Sequence, residues 1–145
     1  MILKKIKPKR VCPRVGDIFE IPLPDGRFAY GRVFRDAAVG IYPKIFNCAQ
    51  TRPIESSFAF TVGLYHDILK TGRWRIVGHE PFVSEEAEWP PPSFIKDVIS
   101  AQYSIYHKGV IRPSTEQECA GLEEAAVWDE HHVIDRILAS LVVQM

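Results

Sequence analysis

The chain has 145 residues, 46% of them apolar and 25% charged. That composition fits one folded globular domain and argues against a disordered, fibrous or membrane-spanning chain. Lys plus Arg number 18 and Asp plus Glu number 18, so the formal net charge is zero; taken as a total, this excludes the strong basic excess of a typical nucleic-acid binder. The total hides a polarity. Residues 1–79 hold 14 basic and 6 acidic side chains, a balance of +8, and residues 80–145 hold 4 and 12, a balance of −8.

Residues 1–14 read as a basic arm, with Lys4, Lys5, Lys7, Lys9, Arg10 and Arg14, in which Pro8 and Pro13 block a helix. The arm lacks the ~7–15-residue apolar region of a secretory leader. No later run reaches the ~18 apolar residues of a membrane span. Val15 to Leu23 alternates as a strand, with Ile18, Glu20 and Pro22 opposite Phe19, Ile21 and Leu23. Pro24-Asp25-Gly26 turns the chain, and Arg27 to Arg35 returns as a second strand with Phe28, Tyr30, Arg32 and Phe34 on one face. Gly31 in its middle is expected to mark a bulge or bend. A third strand is expected over Val39–Phe46, which Pro43 places at an edge or bulge. A polar loop follows over Asn47–Ser57, then a fourth strand over Phe58–His66. Asp67–Thr71 reads as a helical turn or a strand extension, and Arg73–Val77 as a fifth strand.

Ser84 to Pro92 is acidic and ends in Pro90-Pro91-Pro92, a stiff extended connector at the point where the charge balance reverses. Phe94–Ile99 is ambiguous between helix and strand. Gln102–His107 and Val110–Arg112, joined by Lys108-Gly109, read as a hairpin. Thr115 and Glu118 have capping-box spacing, which is expected to open a short helix before Gly121. From Asp129 onward, Val133, Ile134, Ile137, Leu138 and Leu141 form one helical stripe, with Asp129 as its N-cap. The expected fold is α+β and predominantly β: a curled antiparallel, small barrel-like sheet with a C-terminal amphipathic helix packed on it. It forms a single domain over residues 1–145. The arm occupies 1–14, the main sheet 15–82, the acidic Pro-rich connector 83–93, and the hairpin and helix 94–145.

Catalytic signatures are sparse. There is no GxSxG, no HExxH, no CxxC and no glycine-rich phosphate loop. His131 and His132 are adjacent, so on a helix they point about 100° apart and do not chelate one metal together. His66, His79 and His107 are scattered near strand ends, and a hydrolase, metal-dependent or not, would have to draw on them and the late carboxylates. Cys12, Cys48 and Cys119 are expected to be reduced thiols in a mostly buried setting, as in a cytoplasmic protein. Arg27, Arg32, Arg35, Arg73 and Arg75 lie near aromatic positions, a pattern that suits nucleic acid; the neutral total and the twelve late carboxylates argue against it. Glu116, Glu118, Glu123, Glu124, Asp129, Glu130 and Asp135 fall within 20 residues against one Arg136. Such a cluster reads either as a solvated helix face or as a surface for a basic protein partner. Glu116, Glu123, Glu124, Asp129 and Glu130 are the candidate partner-binding residues.

The run Val15-Gly16-Asp17-Ile18-Phe19-Glu20-Ile21-Pro22-Leu23-Pro24-Asp25-Gly26-Arg27-Phe28-Ala29-Tyr30-Gly31-Arg32-Val33 resembles the opening of the immunity protein 26 family. Tyr106 to Pro113, Gly121 to Trp128 and His132 to Arg136 are similar to later parts of it. The resemblance implies a small, largely β bacterial protein of a polymorphic toxin system, one that binds and neutralises a cognate toxin and needs no cofactor. An organophosphate-hydrolysing protein is grouped with the family, so the resemblance leaves hydrolase activity open. It transfers no catalytic residues, because the matching positions are mostly Gly, Pro and apolar. Nuclease toxins have basic clefts, so the resemblance and the acidic cluster together point to a basic, nuclease-type partner.

Overall fold

The computed structural model describes residues 10–51 and 57–143. Lys4, Lys5, Lys7 and Lys9 of the basic arm lie outside the described residues, as does part of the polar loop. The described end of the arm runs beside the first half of the chain: Val11 N donates to Lys70 O, and Arg14 pairs with Asp17.

Alternating side chains build the first hairpin as the sequence predicts. Strands β1 (Asp17–Pro22) and β2 (Phe28–Val33) pair antiparallel across the Pro24-Asp25-Gly26 turn. A tight turn at Asp36-Ala37 leads into β3 (Ala38–Ile41), with both turn residues at positive φ. Pro43 has no N–H for a ladder, so the expected third strand breaks into β3 and the short β4 (Lys44–Ile45). Then come β5 (Phe60–Leu64), a single helical turn α1 (Asp67–Lys70), and β6 (Arg75–His79). The ambiguous 94–99 segment is a strand in its first half, β7 (Ser93–Lys96), and a turn after it. It is followed by the predicted hairpin of β8 (Tyr103–His107) and β9 (Val110–Ser114), whose Lys108-Gly109 turn has positive φ at both residues. The chain ends with β10 (Glu123–Glu124), β11 (Val127–Trp128), α2 (Glu130–Ser140) and β12 (Val142–Val143).

The six-stranded sheet runs β11-β5-β3-β2-β1-β6, the four-stranded sheet β10-β7-β8-β9, and β12 pairs with β4. The predominantly β fold with a late helix is as expected, with three corrections. The sheet curls but does not close into a barrel, because β11 and β6 remain as edges. It is not confined to residues 15–82, since β11 joins it. Nor is it wholly antiparallel, since β11 with β5, β10 with β7 and β12 with β4 are parallel.

Both faces of the main sheet carry an apolar cluster, the second one including the buried Glu20 as partner of Tyr30. On one face Phe19, Ile21, Val39 and Leu64 pack with Trp74 and with Val133 and Ile137 of α2; Phe19 stacks on Trp74 at 5.8 Å. On the other, Ile18, Tyr30 and Tyr42 form a smaller cluster with Phe28, Phe46 and Phe58. Gly31 marks no bulge in its strand; the irregularity falls in β1, between Ile18 and Phe19 against β6. Gly31 instead faces Phe19 in register, and a Cβ there would lie 2.4 Å from Phe19 Cζ and 2.7 Å from Gly40 O. The aromatic ring fills the space that a side chain would need.

Helix α2 is capped as predicted, Asp129 accepting from His132 N at 3.0 Å. Its stripe docks through Val133 and Ile137, with Ile134 and Leu141 partly buried, whereas Leu138 falls outside it and is exposed. The predicted helix at Thr115 does not form. Glu118 N does donate to Thr115 Oγ1 at 3.2 Å, but Gly121 takes φ +81° and the segment stays a series of turns. The thiols also differ from expectation: Cys119 is buried, but Cys12 and Cys48 are exposed.

Two outcomes test this core. Gly31→Ala lowers stability by about 1–3 kcal/mol, the usual cost of overpacking, read as a fall in the urea midpoint. Tyr30 is fully buried, donates to Glu20 Oε2 at 2.9 Å and accepts from Gln50 N at 2.6 Å. Burial pushes its phenol up to about 12. A raised folded value means that this contribution to stability is complete below the ordinary phenol range near ~10 and lost as pH rises through about 12. Absorbance at alkaline pH should therefore show Tyr30 ionising late, with stability falling over that window, and Tyr30→Phe should remove the component that titrates at about 12.

Candidate partner-binding site

One extended segment belongs to two sheets. Within residues 123–128, β10 is the outer strand of the four-stranded sheet and β11 the outer strand of the six-stranded sheet. Ala125-Ala126 crosses between them. Ala125 N donates to Phe94 O at 2.8 Å and Tyr65 N donates to Trp128 O at 3.2 Å, fixing each half to its sheet. The crossing needs a bare position on β5: a Cβ at Gly63 would lie 2.8 Å from Ala126 O.

The two sheets diverge from this segment around a cleft of about 740 Å³. Its lining is mainly apolar, with Phe60 and Val62 from β5, Ile95 from β7, Ile111 from β9 and the Pro90-Pro91-Pro92 run. A second hollow of about 560 Å³ lies between the segment and α2, beside Trp128, His132, Asp135 and Arg136. Glu123, Glu124, Ala126 and Val127 line both, so the hollows meet along the crossing.

Polar bonds near the cleft tie the β2–β3 turn to the second sheet and to the helical turn at Glu86–Glu88. Tyr106 Oη donates to Asp36 Oδ2 at 2.5 Å, which holds the phenol above its usual range. Arg35 pairs with Glu88 at 2.7 Å and lies over the Trp89 ring. Lys108 is ion-paired with Glu86. The bonds at Asp36 and Arg35 anchor the β2–β3 turn, whose Ala37 at φ 54° is in a conformation that a residue with a Cβ adopts only under constraint.

The five predicted carboxylates divide by their partners. Glu123 is bound by both terminal nitrogens of Arg136, whose guanidinium lies 4.1 Å from the Phe60 ring centroid. Glu130 turns to Arg73 at 2.7 Å and is largely buried. Asp129 is the helix cap, and the backbone N–H of His132 holds its carboxyl below the usual range. Glu124 and Glu116 are exposed and make no ion pair or side-chain hydrogen bond among the described residues. Glu124 stands where the hollows meet; Glu116 lies in the turns after β9, lining neither. The structure thus brings Glu123 and Glu124 together at the cleft and commits Asp129 and Glu130 to holding α2.

The histidines do not converge. His79 Nδ1 lies 2.8 Å from Asp17 Oδ1, His107 lines the cleft, and His66, kept below its usual range by burial, has an Nε2 without a hydrogen-bond partner among the described residues. His132 faces Asp129, and His131 is exposed on α2. Among the described residues no group of three or more His, Cys, Asp or Glu is placed to hold a metal ion.

Compared with known families, the chain matches the model of immunity protein 26 over residues 14–105, rather more than half its length. The chain belongs to the immunity protein 26 family. No curated protein and no solved structure matches it. The matched span contains the Val15–Val33 run and ends within β8. The later resembling stretches, with the crossing segment and α2, lie beyond it. Membership in the immunity protein 26 family speaks for an immunity role, with a cognate toxin as partner, rather than an enzymatic one. No helix among the described residues is long and apolar enough to cross a membrane.

Sequence reasoning found the acidic cluster but not the cleft, nor Trp128 beside it. Its walls come from β5, β7, β9 and residues 121–127, and only their sheet pairings bring these together. The one local signal was Gly63 in an otherwise aromatic and β-branched strand, where a missing side chain marks a close backbone approach. Gly63→Ala should lift the crossing away from β5. Amide hydrogen exchange is expected to speed up at Ala125 and Tyr65 while the β1–β2–β3 amides stay protected.

Proposed function

We propose that this immunity protein 26 family member acts in the cytoplasm within a polymorphic toxin system, binding its cognate toxin stoichiometrically and neutralising it by occlusion. The contact is an acidic face around Glu124 and Asp135, and the toxin presents a basic, nuclease-type surface. Family membership carries the reading; the acidic residues supply its chemistry. Glu124, Asp135 and Glu116 are exposed carboxylates without an ion pair among the described residues, so their charge is available to a partner. Glu123, Asp129 and Glu130 are already engaged within the chain and contribute through position and field. Carboxylates over a basic surface speed encounter and select partners more than they add affinity.

The test uses as probe the C-terminal domain of the protein encoded immediately upstream of this chain, expressed with wild-type protein or with Glu116→Lys, Glu124→Lys and Asp135→Lys combined. None of the three positions is buried, so the fold should survive, which circular dichroism checks. The triple variant is expected to associate on the order of tenfold more slowly at low salt, with the difference shrinking as salt is added, and to lose protection in cells. Full protection and unchanged association by the triple variant would overturn the acidic face as the contact.

A further inference from the structure

We infer that the cleft between the two sheets receives an extended segment of the toxin that is apolar along its length and carries Lys or Arg where it emerges beside Glu124. The inference rests on the immunity reading and names the feature recognised. Three observations carry it. At about 740 Å³ the cleft is far larger than a packing defect and falls within the ~300–1,000 Å³ range of sites that enclose a ligand. Its lips are aliphatic and uncovered: Ile111 is 60% and Val127 54% exposed. Finally, the charge at its mouth is one-sided. Lys108 on the β8–β9 turn is neutralised by Glu86, and Glu123 by Arg136, which leaves Glu124 uncompensated at the junction with the second hollow, where Asp135 also stands; Asp36, also in the lining, accepts from the neutral Tyr106 hydroxyl and adds to the negative side.

These features select one occupant. An acidic segment would meet Glu124 and Asp135 without a counter-charge. A wholly apolar one would leave that end unused. A basic residue following apolar ones satisfies both ends, filling the gap between Val62 and Ile111 and pairing with the carboxylate that the fold leaves open. The outer edge of β10 and β11 lies alongside and offers backbone groups to an extended chain, as a sheet edge does in strand addition.

The experiment measures association and dissociation rates of the same upstream-encoded domain on wild-type protein, Ile111→Ser, Val127→Ser and Glu124→Lys. Both aliphatic positions are more than half exposed, so these variants are expected to fold, with the urea midpoint as the control. The expected result is dissociation on the order of tenfold faster for each serine variant with association unchanged, and slower association for Glu124→Lys. Amides of residues 121–127 should also gain protection from exchange in the complex. If wild-type protein binds and both serine variants match it, the cleft is not the site, and the immunity reading stands. If wild-type protein does not bind the domain, both proposals fall.

Discussion

The close approach of Ala126 O to Gly63 sets the geometry on which the rest of this molecule depends. Two backbones meet where a side chain would intrude to 2.8 Å. This lets β11 lie against β5 while, two residues earlier, Ala125 N reaches Phe94 O on the other sheet. A strand of two residues holds little of its own stability, so the crossing depends on being fixed at both ends. Once fixed, it sets the angle between the sheets and hence the width of the cleft. It also delivers Trp128 and Asp129 to the point where α2 must begin. The helix then packs Val133 and Ile137 into the main core and returns Arg136 to Glu123 on the same crossing. The cleft and the helix are two results of one backbone contact.

The zero net charge divides in the same way. Among the described residues, Arg35 with Glu88 and Arg73 with Glu130 join the basic half to the acidic half. Arg10 and Arg14 stay within the first half, on Asp67 and Asp17. The described part of the basic arm therefore does not cover the acidic helix, and the polarity along the chain survives folding in part. What it leaves is a few carboxylates around the crossing. Solvent-exposed ion pairs add little to stability. Arg73–Glu130 and Arg136–Glu123 matter more for where they hold α2 and the crossing than for the energy they contribute.

Local patterns were legible in the sequence and distant pairings were not. Alternation placed β1 and β2, the positive-φ turn Lys108-Gly109 placed the β8–β9 hairpin, and Asp129 with the stripe at Val133 and Ile137 placed α2. Each is a signal confined to a few neighbouring residues. β10, β11 and β12 have two residues apiece, too short for any period, and each pairs in parallel with a strand far away in the chain. The Thr115 box shows the converse case. Its hydrogen bond forms, but a single cap does not carry helix nucleation when Gly121 ends the segment one turn later. Gly31 and Gly63 were visible as glycines within strands, but what each makes room for, a phenyl ring or a carbonyl, belongs to the three-dimensional neighbour.

An open apolar cleft beside free strand edges is a hazard for self-association, and the charge pattern answers it. Two copies of this chain meeting along β10 and β11 would bring Glu124 and Asp135 against their own counterparts, and like charges brought together across an interface are costly. A basic partner meets the opposite condition on the same surface. On the proposed contact, the carboxylates that fold stability does not use would serve selection in both directions, disfavouring the chain's own kind at the cleft and favouring a surface of opposite charge. The arrangement works only because Glu123 and Glu130 are tied internally. With those two spent on holding the crossing and the helix, the remaining acids can stay unpaired without loosening the frame that presents them.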